Sequence, residues 1–127
     1  MSMITDESHF EAGQTNWPSF SYKELACQHC GSIALEESFL VALQELRDAY
    51  GKPMRITSGY RCPEHPIEAK KPQPGYHSKC AVDVAASGED AWTLINIASS
   101  LGWGGIGVNT PSFIHLDRRS AKTVWKY

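Results

Sequence analysis

The sequence predicts an α+β domain in which a small antiparallel sheet packs with two main helices. Residues 35–50 carry Leu35, Phe39, Ala42, Leu43, Leu46, Ala49 and Tyr50 on one stripe at helical spacing. Ala81-Val82-Asp83-Val84-Ala85 and Phe113-Ile114-His115-Leu116-Asp117 are short apolar runs, each with a polar residue at its centre, and both read as strands. The predicted order of elements is helix, strand, long loop, strand, helix and hairpin, a pattern that suggests an α+β domain whose small antiparallel sheet presents His77, Asp83 and His115 from neighbouring strands.

A length of 127 residues fits one domain with a modest core. The composition is 42% hydrophobic and 20% charged, which is ordinary for a globular protein. Twelve basic against 14 acidic residues give a net charge of −2 without a basic block, so nucleic acid is not the expected partner. No apolar run reaches the length of a membrane span, and no membrane partner is expected. Met1 to Phe20 is polar and lacks the apolar core of a secretory leader, so the chain is expected either to be made for the cytoplasm or to have lost a targeting segment already.

Residues 1–19 show no periodicity and read as an N-terminal arm, with Trp17-Pro18 packing on a single domain spanning 20–127. Ser21 and Glu24 have the spacing of a capping box at the start of a short helical turn. Cys27-Gln28-His29-Cys30-Gly31 is a tight knuckle resembling half of a zinc site, and Cys62-Pro63-Glu64-His65 offers a second Cys-x-x-His half. Cys27, Cys30, Cys62 and His65 are therefore a candidate structural metal site; small buried thiols in a turn are the plainer alternative. A thioredoxin-like redox role is not expected, because no βαβ pattern surrounds Cys27 and Cys30.

The long helix should stop at Gly51, and Pro53 prevents its resumption. Met54 to Thr57 alternates as a strand and runs into the turn-rich segment Ser58-Gly59-Tyr60-Arg61-Cys62-Pro63. Arg61 could clamp a substrate carboxylate with two parallel hydrogen bonds, or could simply pair with a nearby acid. Residues 67–75, with Lys70, Lys71, Pro72 and Pro74, read as a surface loop. His77 lies on the loop entering the strand that ends near Ala86. Ser87 caps the second helix, whose first turn holds Glu89 and Asp90 and which stops at Gly102. Trp103 to Val108 is a glycine-rich strand, Asn109-Thr110-Pro111-Ser112 a turn, and Phe113 to Arg118 its antiparallel return. Thr123 to Tyr127 either adds an edge strand or packs against the domain.

The chemistry concentrates in His77, Asp83 and His115. A carboxylate flanked by valines is costly to bury as a bare charge and needs a partner or a metal. Each residue alone would be an ordinary core group. Together, two histidines and a carboxylate are a common ligand set for catalytic zinc, with a fourth position left for water.

Three motifs in this order resemble the M15 zinc peptidases: Ile56-Thr57-Ser58-Gly59-Tyr60-Arg61-Cys62-Pro63; His77 with Ala81-Val82-Asp83-Val84; and Gly105-Ile106-Gly107-Val108 with Phe113-Ile114-His115-Leu116-Asp117-x-Arg119. That family includes D-alanyl-D-alanine carboxypeptidases and phage endolysins, and shares the fold of the hedgehog signalling domain. The resemblance covers residues 20–120. It implies a hedgehog/DD-peptidase-like fold, one catalytic zinc on His77, Asp83 and His115, and peptidoglycan stem or cross-link peptides as substrate. It further implies Arg61 as an anchor for a peptide carboxylate, with Ser58 and Tyr60 lining the same loop. A second, structural ion would fit the cysteine knuckle. A phage-like enzyme made in the cytoplasm and acting at the cell wall, or a phage-particle component, is the implied setting.

The chain departs from the family pattern twice. The stretch between His77 and Asp83 is one residue shorter, with Cys80 near the family's glycine; the loop before the strand can absorb the difference. Ser112 stands where several members carry an acidic general base. Asp117 is the nearest replacement, either orienting His115 or handling protons. These departures keep open a different reading, a catalytically silent module that binds cell-wall peptide or a protein partner.

Overall fold

The computed structural model describes residues 3–11, 15–73, 75–109 and 111–127. Met1, Ser2 and 12–14 of the arm, together with the loop residue Pro74 and the turn residue Thr110, lie outside the described residues. The described residues form seven strands and four α-helices: β1 (Met3–Ile4), α1 (Tyr22–Leu25), β2 (Leu35–Glu36), α2 (Glu37–Tyr50), β3 (Ile56–Ser58), α3 (Pro66–Ala69), β4 (Ala81–Ala85), α4 (Gly88–Ser100), β5 (Gly105–Asn109), β6 (Phe113–Asp117) and β7 (Thr123–Lys126).

A five-stranded sheet in the order β3-β4-β6-β5-β7 forms the frame. Its first four strands pair antiparallel, whereas β7 runs parallel to β5. The expected antiparallel sheet is thus mixed, and the C-terminal segment takes the edge-strand option. Alternation gives the sheet two unlike faces. Val82, Val84, Ile114, Leu116 and Ile106 belong to the apolar core, while Asp83, His115 and Asp117 alternate with them on the other face. α4 packs on β6 and on α2, so the helices lie against the core side.

Local chemistry accounts for most of the element ends. Ser21 and Glu24 form the expected capping box on α1. α2 ends at Gly51, whose φ of 75° is left-handed and therefore suits glycine. Ser87 is the N-cap of α4, although its side chain makes no capping bond.

The first main helix begins at Glu37 rather than Leu35, because Leu35 and Glu36 pair with Ile4 and Met3 in a separate two-stranded ladder. The arm thereby reaches the core: Ile4 and Trp17 are both buried. Residues 67–75 also contain more structure than a surface loop, since α3 carries Glu68 into the interior with 1% of its surface exposed.

The buried stripe of α2 comprises Phe39, Leu40, Leu43 and Leu46. Leu43 is fully buried, so Leu43→Ala should lower unfolding stability by about 2–5 kcal/mol through lost burial and a residual cavity. Val41 is 40% exposed on the same helix, and Val41→Ala should stay within about 0.5 kcal/mol of the parent. Urea unfolding of the two variants checks the pair.

Candidate metal centre

Hydrogen-bonded neighbours across the sheet bring the polar residues into one row. Asp83 on β4 faces His115 on β6, which faces Gly107 on β5, which faces Trp125 on β7. Ser58 on β3 pairs with Asp83 from the other side. His77 comes from outside the sheet, in a 3-10 turn over Tyr76–Ser78 just before β4. That turn absorbs the shortened spacing: His77 Nε2 lies 3.1 Å from Asp83 Oδ1.

Three donor atoms converge here. His115 Nδ1 is 3.1 Å from Asp83 Oδ1 and 3.2 Å from His77 Nε2. The opposite edge of each imidazole is already committed. His77 Nδ1 donates to the Gly59 carbonyl at 2.9 Å, and His115 Nε2 donates to Asp117 Oδ2 at 2.7 Å. Those partners are acceptors only, so in each neutral ring the nitrogen facing Asp83 carries a lone pair rather than a proton. Two lone pairs and a carboxylate oxygen thus point at one another inside a buried site, and only a cation or added protons can hold them together. The spacing suits a metal: bonds of zinc length in a tetrahedron place ligand atoms about 3.3 Å apart. The flanking carbonyl and carboxylate are the partners that commonly fix metal-binding histidines. The donor set therefore fits a zinc ion.

The charges reinforce one another. Burial pushes the Asp83 carboxyl up, but when no metal is bound an added proton on the facing nitrogen of His115 or His77 donates to it, outweighs burial and holds the group down at about 2. Burial likewise opposes charge on His115, yet Asp117 and Asp83 raise its pKa above the ordinary value. Asp117 is wholly buried. Burial opposes its charge too, but His115 and the Arg119 side chain keep the carboxyl well below the usual range. Arg119 grips both oxygens, Nε to Oδ1 at 2.8 Å and Nη2 to Oδ2 at 2.7 Å. Of the two roles open to Asp117, orientation of His115 fits this geometry. Proton transfer does not, because both oxygens are already occupied. Ser112 is exposed in the turn before β6.

Arg61 borders the same centre. Its guanidinium lies 3.7 Å from Asp83 Oδ2 and 3.4 Å from Glu68 Oε2, both at the long end of ion pairing, so most of its five donors remain uncommitted. Its backbone N–H donates to the His77 carbonyl at 2.8 Å, which fastens the Arg61 loop to the His77 turn. Tyr60 is 8% exposed, and burial together with the thiols of Cys62, Cys27 and Cys30 raises its hydroxyl pKa, which places it on the cysteine side of the loop. Ser58 keeps its place beside Asp83 on β3.

Glu68, Arg119 and Trp125 were not expected at the site. Glu68 accepts hydrogen bonds from Gly75 N at 2.6 Å, Lys71 Nζ at 3.1 Å and Arg61 Nη1 at 3.4 Å. Burial would raise its pKa, but these donors lower it instead. The Trp125 ring lies tilted against the His115 ring, 5.1 Å between centroids, and the Arg119 guanidinium lies over both Trp125 and Tyr76. Two glycines make this possible. A Cβ on Gly107 would meet the Trp125 ring at 2.6 Å, and one on Gly105 would fall 2.2 Å from Asp117 Oδ1. A glycine facing a bulky or charged partner across a strand pair was the available signal.

A second group of candidate ligands lies apart. Cys27, Cys30 and Cys62 have sulfurs within 4.8 Å of one another. His65 does not join them; its Nδ1 accepts the Ile67 N–H at 3.1 Å as the N-cap of α3. Of the expected four-residue set, the three cysteines come together, while the Nδ1 of His65 serves the helix cap.

The family model described as Peptidase M15 matches residues 18–117. No curated protein and no solved structure matches the chain.

Two substitutions test the arrangement. Asp117→Asn removes the charged acceptor behind His115 and should weaken zinc binding by about 10–100-fold, read by competition with a chromophoric chelator. Gly105→Ala should have a similar effect through displacement of Asp117, with a lower melting temperature besides.

Proposed function

The chain belongs to the M15 peptidase family, and on that premise we propose that it is a zinc-dependent peptidase that hydrolyses the stem or cross-link peptides of peptidoglycan. The observation that carries this reading is the convergence of His77 Nε2, His115 Nδ1 and Asp83 Oδ1, three buried ligand-type atoms 3.1–3.2 Å from one another. When bound there, zinc supplies an acidified water and polarisation of the scissile carbonyl.

The protein's own residues have distinct tasks. His77, Asp83 and His115 hold the ion, with Gly59 and Asp117 fixing the two rings. Arg119 positions Asp117. Arg61, with donors to spare, receives a carboxylate of the substrate, either the free C-terminus or a side-chain carboxylate of the stem peptide. Glu68 holds the Arg61 side chain in place. Ser58 borders the same rim, and Tyr60 supports the loop from behind.

The clamped Asp117 and the serine at 112 support a second reading, a module that binds wall peptide without cutting it. Release of new amino groups from purified peptidoglycan separates the two. The wild-type protein with zinc should release them, and chelation should abolish release. His115→Ala should lower kcat/KM by on the order of a thousandfold, the equivalent of several kcal/mol of lost metal-assisted stabilisation. No release by zinc-loaded wild type at any pH would remove the peptidase reading. Arg61→Ala should mainly raise KM for substrates with a free carboxylate, measured against an amidated analogue.

A further inference from the structure

We propose that Cys27, Cys30, Cys62 and His29 bind a second zinc ion, which staples the knuckle after α1 to the loop that carries Arg61. This site shares no ligand with His77, Asp83 and His115 and does not depend on the peptidase reading.

The three sulfurs cluster as a sulfur-rich centre requires, and His29 approaches them from the Cys62 side. Cys27 Sγ and Cys62 Sγ are 3.6 Å apart, and the third sulfur, on Cys30, lies within 4.8 Å of both. Thiolates on one zinc ion are expected about 3.8 Å from each other, and a thiolate and an imidazole nitrogen about 3.6 Å apart. His29 sits inside the knuckle, between the two cysteines, with its Nδ1 3.8 Å from Cys62 Sγ. Its ring lies edge-on to His65, 6.0 Å between centroids, and His65 Nδ1 is taken up by the Ile67 amide. Three sulfurs and one nitrogen suit zinc better than magnesium or calcium.

The backbone is also arranged for thiolates. The Cys27 amide donates to Ser32 O at 2.7 Å and the Gly31 amide to Cys27 O at 2.8 Å, which closes the knuckle; Gly31 has a φ of 75°. The Cys62 amide donates to Cys27 Sγ at 3.4 Å, a contact that favours a negatively charged sulfur.

The clasp would act on the first site through the chain between them. Gly59 supplies the carbonyl that orients His77, Arg61 lies beside Asp83, and Cys62 follows directly. Gly59 also packs so closely on Leu25 that a Cβ would meet that backbone at 2.6 Å, and the Tyr60 amide donates to Leu25 O at 2.8 Å. α1, the knuckle and the Arg61 loop thus form one unit, closed by the four ligands.

The test loads the reduced, full-length chain with Co²⁺ and reads the near-ultraviolet thiolate-to-cobalt charge-transfer band, with zinc stoichiometry measured in parallel. Wild type should show the band and bind about two zinc ions per chain, one at each site. His115→Ala should keep the band. Cys30→Ser and His29→Ala, both at exposed positions, should weaken or abolish it and leave about one zinc ion. His65→Asn, which preserves the helix cap, should leave the band unchanged. Absence of the band in wild type, a Cys27–Cys62 disulfide in protein purified without oxidant, or loss of the band in His65→Asn but not in His29→Ala would overturn the proposal.

Discussion

The arrangement of this domain depends on how a carboxylate is tolerated inside a sheet. Asp83 sits between Val82 and Val84 on a central strand, 5% exposed, where a bare charge would be strongly disfavoured. Strand alternation sends the valines into the core and Asp83 to the opposite face. The neighbours on that face then complement it. His115 lies directly across, His77 arrives from a turn, and the Arg61 guanidinium approaches the second oxygen. Each histidine is committed by its far nitrogen to an acceptor, which leaves its near nitrogen free of a proton. A cluster of this kind is costly without a cation and strongly held with one.

The same constraint spreads outward. Asp117 must remain charged while fully buried to fix His115, and it does so because Arg119 binds both of its oxygens. Arg119 in turn lies over the rings of Tyr76 and Trp125, so β7 is tied to the centre. Glu68 repeats the pattern on the other side, a buried acid whose role is to hold Arg61 and Lys71. Positive and negative side chains alternate from Lys71 through Glu68, Arg61 and Asp83 to the histidines, then on through Asp117 to Arg119. Removal of one member leaves its neighbour buried and unpaired, a larger loss than the contact itself.

Much of this was legible from sequence because periodicity and alternation report directly on burial. The stripe of α2, the capping box of Ser21 and Glu24, and the placement of His77, Asp83 and His115 around one sheet face all follow from local pattern. What was not legible depends on pairing between distant segments. Leu35 continues the helical stripe, yet it is drawn into a ladder with Ile4 that no local signal announces. β7 pairs parallel, which requires knowledge of how the chain leaves β6. Glu68 lies in a stretch whose lysines and prolines read as solvated, and only the Gly75 amide and its two cationic partners make its burial tolerable. His65 has the Cys-x-x-His spacing of a zinc ligand, yet its Nδ1 caps α3, whereas His29 Nδ1 lies 3.8 Å from Cys62 Sγ.

The most direct measurement is anomalous scattering at the zinc edge from crystals of the full-length chain grown with zinc. A peak about 2.1 Å from His77 Nε2, His115 Nδ1 and an oxygen of Asp83 is the predicted result, with His115 bound through Nδ1 because Nε2 is held by Asp117. Zinc-saturated crystals with no peak there, or with His115 turned to bind through Nε2, would contradict the account.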